Sequence, residues 1–274
     1  MSITGVFYHE SFSRRSYLTI GTRLRDFPEA FGEFQGNENF RLIESPEVGE
    51  ELVLQVHTRD LLEGVILDSF CSTAWRSAGG VVKAMEMVYS GELRNAFVYI
   101  GAGGHHSGRD YFWGYCCFND VVIGTRNLRN KHENVRVAVI DTDAHHGDGT
   151  RELVKNDPNF LHYCICPTSY ESRDGLKVDV SYFTANYNRA VRDFERYVEN
   201  FNPDIVIWYF GHDTHQGDYG DIGLTVRDYI EHARIIKETA RKYCDEKLVV
   251  VLGGGSISSI ARESSLAIIR ELLK

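Results

Sequence analysis

The sequence predicts an α/β fold, a mostly parallel central sheet with helices on both faces. Two observations predict it. Short apolar runs that read as buried strands alternate with longer stretches of helical length and spacing. The polar clusters follow the C-terminal ends of the predicted strands, where open parallel sheets place their ligand sites.

Taken in order, 72–89 reads as a helix, 96–100 and 135–140 as strands, and 160–165 as a third strand. A helix over 182–200, a strand over 205–210, a helix over 225–243 and a strand over 248–252 follow. A closing helix spans 258–273. With 274 residues, five prolines and no linker rich in Pro, Gly or Ser, the chain reads as one domain over 1–274.

Hydrophobic content of 43% and charged content of 25% are those of a soluble globular protein. A formal charge of −9 argues against nucleic acid as a partner. No apolar stretch reaches the 18 residues a membrane span needs, and the N-terminus has no signal-peptide pattern. Six cysteines occur without a CxxC pair, several in apolar runs, so they are expected to be reduced in a cytoplasmic setting. Cys164 and Cys166 are expected in the strand core. The basic run over 126–131 reads as a solvated helix end, and Arg14-Arg15 as surface charge. The oligomeric state is open, a homo-oligomer included.

Asp141-Thr142-Asp143-Ala144-His145-His146-Gly147-Asp148 carries the chemistry. Three carboxylates and two imidazoles fall at the end of a buried strand, where such groups are costly unless a metal or partner charge compensates them. Asp143 and His145 are two apart, so on extended backbone they point the same way and reach one divalent ion. Asp213 stands just past the strand 205–210 and supplies a third ligand. Three protein ligands with an open position are the layout of a catalytic zinc site. A single Asp after a strand more commonly caps a helix; the whole constellation argues for metal.

Gly103-Gly104-His105-His106 follows another strand. Neighbouring histidines suit general acid–base work near neutral pH once a carboxylate orients each of them, and Asp141 and Asp148 are the acids to spare. Tyr111, Phe112 and Trp113 read equally as a pocket rim or as loop packing.

On these residues the sequence resembles the zinc-dependent histone deacetylase family in its broad sense, with deacetylase-like amidohydrolases, acetylpolyamine amidohydrolases and acetoin-utilisation proteins. The segments that carry the resemblance are Gly104-His105-His106, Gly114 to Asp120, Asp141 to Gly149, Gly211 to Thr225 and Leu252 to Gly255. It implies the arginase–deacetylase fold and one zinc per chain on Asp143, His145 and Asp213. It implies His105 and His106 as acid–base groups oriented by Asp141 and Asp148. Substrate contacts are implied at Gly114, Tyr115, Gly254, Gly255 and Ser256, with a structural potassium ion on the backbone around Asp141, Asp143 and His145. The implied reaction is hydrolysis of an acylated amine (acyl-lysine, acylpolyamine or a related small amide) by metal-activated water.

The sequence departs from the family pattern at the glycine-rich loop before the last helix. Ser256 occupies the position of a tyrosine whose hydroxyl donates to the developing oxyanion. Losing one such donor costs on the order of 10²–10³ in rate, so activity is reduced or altered unless Tyr170, Tyr219 or His212 substitutes. Residues 8–25 lack the usual His-Pro-Glu pattern, and Gly101-Ala102-Gly103 replaces Arg-Pro-Pro. Both changes reshape the pocket rim. Two other readings stay open: a zinc-containing acyl-ligand binding protein of weak activity, and an arginase-type metallohydrolase. Against the latter, the acid after His145 is Asp148, one position too late for a two-manganese Asp-x-His-x-Asp pattern.

Overall fold

The computed structural model describes residues 3–14, 22–183 and 185–274. Among them are nine strands: β1 (Thr4–Tyr8), β2 (Phe40–Glu44), β3 (Asn95–Val98), β4 (Val137–Asp141), β5 (Phe160–Cys166), β6 (Tyr170–Glu171), β7 (Lys177–Ser181), β8 (Ile205–Phe210) and β9 (Leu248–Leu252). They form one sheet in the order β2-β1-β3-β9-β8-β4-β5-β7-β6. Each pairing is parallel apart from the antiparallel β6–β7 edge.

Strand β8 shows why helices cover both faces. Successive side chains point to opposite sides. Val206, Trp208 and Phe210 join one core, while Ile205, Ile207 and Tyr209 join the other. The first core packs against helices Tyr187–Phe201, Val226–Cys244 and Ser258–Leu272. The second packs against helices Ala74–Tyr89 and Asp120–Lys131. A strand apolar on both faces has no side left for water, which is what its unbroken apolar run reports.

The five strands expected from the sequence are β3, β4, β5, β8 and β9, and the four expected helices are present with ends shifted by up to five residues. The largest shift is at Tyr187, where Asn186 caps the helix by accepting from the Arg189 amide. Thr225 opens its helix through a capping box with Asp228. The basic run over 126–131 ends the helix Asp120–Lys131, where cations suit the helix dipole. The sequence reading missed β1, β2, β6, β7, the helices Arg59–Leu67 and Asp148–Val154 and the short helical turns Ser11–Arg14 and Glu50–Val53, and it read only the end of the helix Asp120–Lys131. Strand β2 is a half-exposed edge, and β7 carries polar Lys177 and Asp179, so neither has a clear apolar signal. Arg14 pairs with Glu10 on the surface, while Arg15 lies outside the described residues.

The expectation of six reduced cysteines is corrected. Cys71 and Cys117 form a disulfide with Cα atoms 5.9 Å apart, across 46 residues of sequence. It ties the turn before helix Ala74–Tyr89 to the loop at 114–118, a proximity that no local spacing announces. Cys116, Cys164, Cys166 and Cys244 are free and buried. No helix among the described residues is long and apolar enough to cross a membrane.

Trp208 is fully buried and its indole N–H donates to the Thr142 hydroxyl at 2.8 Å, linking β8 to the loop after β4. Trp208→Ala is expected to lower the unfolding free energy by about 3–5 kcal/mol, measured by urea denaturation. A loss below 1 kcal/mol would mean the core around β8 is not packed as described.

Candidate metal centre and its pocket

The sheet order places β3, β9, β8 and β4 side by side, all parallel. Their C-terminal ends therefore open on the same edge. The loops after them carry His105 and His106, Gly253 to Ser256, Asp213, and Asp141 to Asp148, and they converge on one pocket of about 510 Å³.

At its floor, ligand atoms of Asp143, His145 and Asp213 lie within 4.8 Å of one another. His145 Nδ1 is 3.0 Å from an Asp143 oxygen and 3.1 Å from Asp213 Oδ2. Three donors on a divalent ion at about 2.0–2.2 Å in tetrahedral geometry stand about 3.3–3.6 Å apart, close to these distances. Backbone holds the other sides of the carboxylates. Gly254 N–H donates to Asp143 Oδ2 at 2.7 Å, His145 N–H to Asp143 Oδ1 at 3.0 Å, and Ala144 N–H to Asp213 Oδ1 at 3.2 Å. Asp213 Oδ2 is buried and accepts no hydrogen bond, even with His145 Nδ1 beside it. An orphaned carboxylate oxygen facing an imidazole nitrogen and a second carboxylate fits a divalent cation between them.

The electrostatics agree. Hydrogen bonds to Asp143 and Asp213 push the His145 pKa up to about 10. Burial, and then the Asp143 charge, push Asp213 up to about 7. Burial opposes ionisation of Asp143, but His105 and His145 outweigh it and hold its pKa well below the usual range. Asp213 and the His145 imidazole thus attract protons that a cation would displace, while Asp143 favours its charged form.

The two histidines beside the centre are backed by separate acids. His105 Nδ1 sits 2.9 Å from Asp141 Oδ2, and His106 Nδ1 sits 2.6 Å from Asp148 Oδ1. A ring held at Nδ1 turns Nε2 the other way; His105 Nε2 is 3.7 Å from Asp143 Oδ1. Burial lowers the His105 pKa, but the charges of Asp141 and Asp143 prevail and raise it to about 9. For His106, burial and then the neighbouring His105 charge prevail over Asp148, and the pKa falls. His105 rests on the Tyr209 ring at 4.8 Å, nearly parallel, and His106 on Trp113 at 4.1 Å. Trp113 also donates from Nε1 to Asp148 Oδ2 at 3.1 Å. Of the three aromatics 111–113, Trp113 lines the pocket while Phe112 packs on the core beside helix Arg59–Leu67.

Gly114 and Tyr115 both line the pocket with positive φ, 59° and 63°. A Cβ on Gly114 would stand 2.5 Å from the His106 ring, so only glycine allows this approach.

The glycine-rich loop divides. Gly253 and Gly254 line the pocket; Gly255 and Ser256 do not. Ser256 turns away, its hydroxyl donating to Asp218 Oδ1 at 3.0 Å, and the Ser256 and Ile257 amides also donate to Asp218. Of the three candidates to replace the missing tyrosine, Tyr170 is half-exposed over Arg151, and His212 is buried on Asp218. Neither reaches the pocket. Tyr219 lines it. Its hydroxyl accepts the Gly255 N–H at 3.0 Å. A Cβ on Gly254 would lie 2.9 Å from that hydroxyl, 2.5 Å from Asp143 Oδ2 and 2.8 Å from Asp213 Oδ2. The phenol therefore stands beside the ligand set, reached from a different loop.

Sequence reasoning missed three residues that hold this arrangement. Arg23 is fully buried and donates to the carbonyls of Gly253, Gly255, Ile100 and Leu252, bracing the loop from behind. Tyr209 accepts the Gly104 N–H at 2.9 Å beneath His105. Asp218 anchors Ser256. Only Asp218-Tyr219, set between glycines after the Asp213 loop, carried a usable local signal.

Asp141 and Asp148 are taken by the histidines and stand outside the Asp143–His145–Asp213 group. A second metal beside the first, as an arginase-type site needs, would have to break these pairs.

Metal binding at this centre must displace protons. Below pH 7 both His145 and Asp213 are protonated without metal; above it, His145 alone. Zinc affinity, measured by chelator competition, is expected to rise about a thousandfold from pH 6 to pH 8, tenfold per unit for each displaced proton. Affinity independent of pH would contradict the carboxylate–imidazole site.

The Histone deacetylase domain family matches this chain over residues 62–170 and 176–272. A protein named "Probable deacetylase" from Archaeoglobus fulgidus is 29% identical over 309 residues, covering 97% of this chain and 85% of its own length. The acetoin utilization protein AcuC of Staphylococcus xylosus is 32% identical over 200 residues, 66% of this chain, which spans about half of that relative (51%). The crystal structure of the HDA15 HD domain aligns with all of this chain and 90% of its own at a TM-score of 0.85 and 20% identity, a likeness of fold. The fold is the arginase–deacetylase fold, and the chain belongs to the histone deacetylase family.

Proposed function

We propose that this protein is a zinc-dependent amidohydrolase that removes an acyl group from an acylated amine. The observation that carries this reading is the convergence of the Asp143–His145–Asp213 group with two carboxylate-backed histidines in one pocket. The family membership and the relatives named as deacetylases support it.

Zinc, when bound, polarises the amide carbonyl and lowers the pKa of water to about 7. The protein's own groups do the rest. His106, its Nδ1 held by Asp148, takes a proton from the attacking water at Nε2 and delivers one to the leaving amine as the C–N bond breaks. His105, its Nδ1 held by Asp141 and its Nε2 turned toward Asp143, stands beside the centre and stabilises negative charge growing on the former carbonyl oxygen. The Tyr219 hydroxyl donates to that oxygen in place of the family tyrosine at Ser256. Trp113, Gly114 and Tyr115 flank the acyl chain. The products are a carboxylic acid and the free amine. The same proposal includes a potassium ion on the backbone around Asp141, Asp143 and His145.

The test is amine release from acetyl-lysine peptides, acetylpolyamines and trifluoroacetyl-lysine by the zinc-loaded protein. Metal-dependent turnover is expected, abolished in Asp143→Ala. Tyr219→Phe is expected to lower kcat by about 10²–10³ with KM little changed. Unchanged kcat in that variant would remove Tyr219 from the reaction. A zinc-loaded protein that binds these amides without releasing amine would be an acyl-ligand binding protein instead.

A further inference from the structure

A second group of metal-ligating side chains lies on the other side of the loop that carries His145. His146 turns away from the pocket toward β5 and β7, where it meets Cys164, Cys166 and Asp179. Cys164 and Cys166 are two apart on β5, so both sulfurs project from one face. Asp179 is the register partner of Cys164 on the neighbouring strand. His146 Nδ1 is 3.5 Å from Cys166 Sγ and 3.5 Å from Asp179 Oδ1. One ligand atom from each of the four residues lies within 4.8 Å of all the others. Cys164, Cys166 and Asp179 are buried, and His146 is about a quarter exposed, which leaves a path for an ion.

We propose that His146, Cys164, Cys166 and Asp179 bind a second, structural divalent metal of the zinc type, distinct from the Asp143–His145–Asp213 centre.

The donor set suits such an ion. Two thiolates, one imidazole and one carboxylate make a closed four-ligand site of the structural kind, unlike the three-ligand centre in the pocket. Tetrahedral coordination at about 2.0–2.3 Å sets ligand atoms about 3.3–3.8 Å apart. The two 3.5 Å separations already have that spacing, and the widest need contract by only about 1 Å. Charge closes as well. Two thiolates and the Asp179 carboxylate bring three negative charges; Arg151, paired with Asp179 at 2.5 Å, brings one positive charge, and a divalent ion brings two. Thr168 donates to Asp179 Oδ2 at 3.2 Å and orients the carboxylate. Ordinary core packing does not explain this face. An apolar pair at 164 and 166 would fill the space without requiring an imidazole and a carboxylate to converge on it.

The position gives the ion a role. His145 and His146 are adjacent but point to opposite sides, so a metal on each would clamp the short loop after β4 between two fixed points.

Cobalt distinguishes the two sites, because only thiolate ligation gives an intense sulfur-to-cobalt charge-transfer band in the near ultraviolet. The full chain, reduced and loaded with Co²⁺, is expected to show that band and to hold two ions per chain by elemental analysis. Asp143→Ala should keep the band and lose one ion. Cys164→Ser/Cys166→Ser should lose the band and keep one ion. The wild-type spectrum alone decides if that double variant does not fold, and His146→Ala then gives a milder check by shifting the band. Absence of the band in the wild type, or its persistence in the double-serine variant, would overturn the site. Neither result depends on deacetylase activity, so the two readings fail separately.

Discussion

Two carboxylates, Asp143 and Asp213, are buried almost in contact at the ends of adjacent parallel strands. Most of the site follows from making that arrangement tolerable. Backbone N–H groups hold both oxygens of Asp143 and one of Asp213, and the remaining lone pairs face His145 and each other. Water cannot solvate them, so a proton or a metal must. The raised pKa of His145 and of Asp213 describes the same demand from the proton's side. Glycine at 254 is the steric counterpart, since any Cβ there would strike both carboxylates and the Tyr219 phenol.

The loop that makes this approach has to be held without side chains of its own. Arg23 braces it from below through the carbonyls of Leu252, Gly253 and Gly255 and ties it to that of Ile100, and Asp218 holds it from the far side through the amides at 256 and 257. Ser256 contributes to that bracing and so does not line the pocket. The departure from the family pattern thereby acquires a structural reason. Once the loop's last polar residue is used as an anchor, the oxyanion donor of the proposed reaction would have to come from elsewhere. Tyr219, next to the anchoring Asp218, is suitably placed.

The two histidines illustrate how identical side chains diverge by environment. His105 sits between two carboxylates, whose charges raise its pKa, while His106 has a single, partly exposed acid and burial beside His105 lowers its pKa. His145 and His146 diverge by direction instead, one toward the oxygen-rich pocket and the other toward sulfur on β5.

The sequence by itself determined the fold class, five of the central strands and the identity of the polar clusters. Period-two spacing and unbroken apolar runs are local properties that survive without any knowledge of neighbours. It also supported the pairing of Asp143 with His145, because two residues on one extended segment share a face. It did not determine which distant groups meet. Edge strands such as β2 and the polar β7 were illegible because their stability comes from pairing and buried hydrogen bonds rather than from an apolar pattern. The Cys71–Cys117 bond, the buried Arg23, the turn of Ser256 toward Asp218 and the convergence of His146 on Cys164, Cys166 and Asp179 each join separate elements, from 20 residues apart for His146 and Cys166 to 230 for Arg23 and Gly253. Only the tertiary structure decided them, because a side chain's partner across a sheet is set by strand order and register, and neither is written within the reach of a single element.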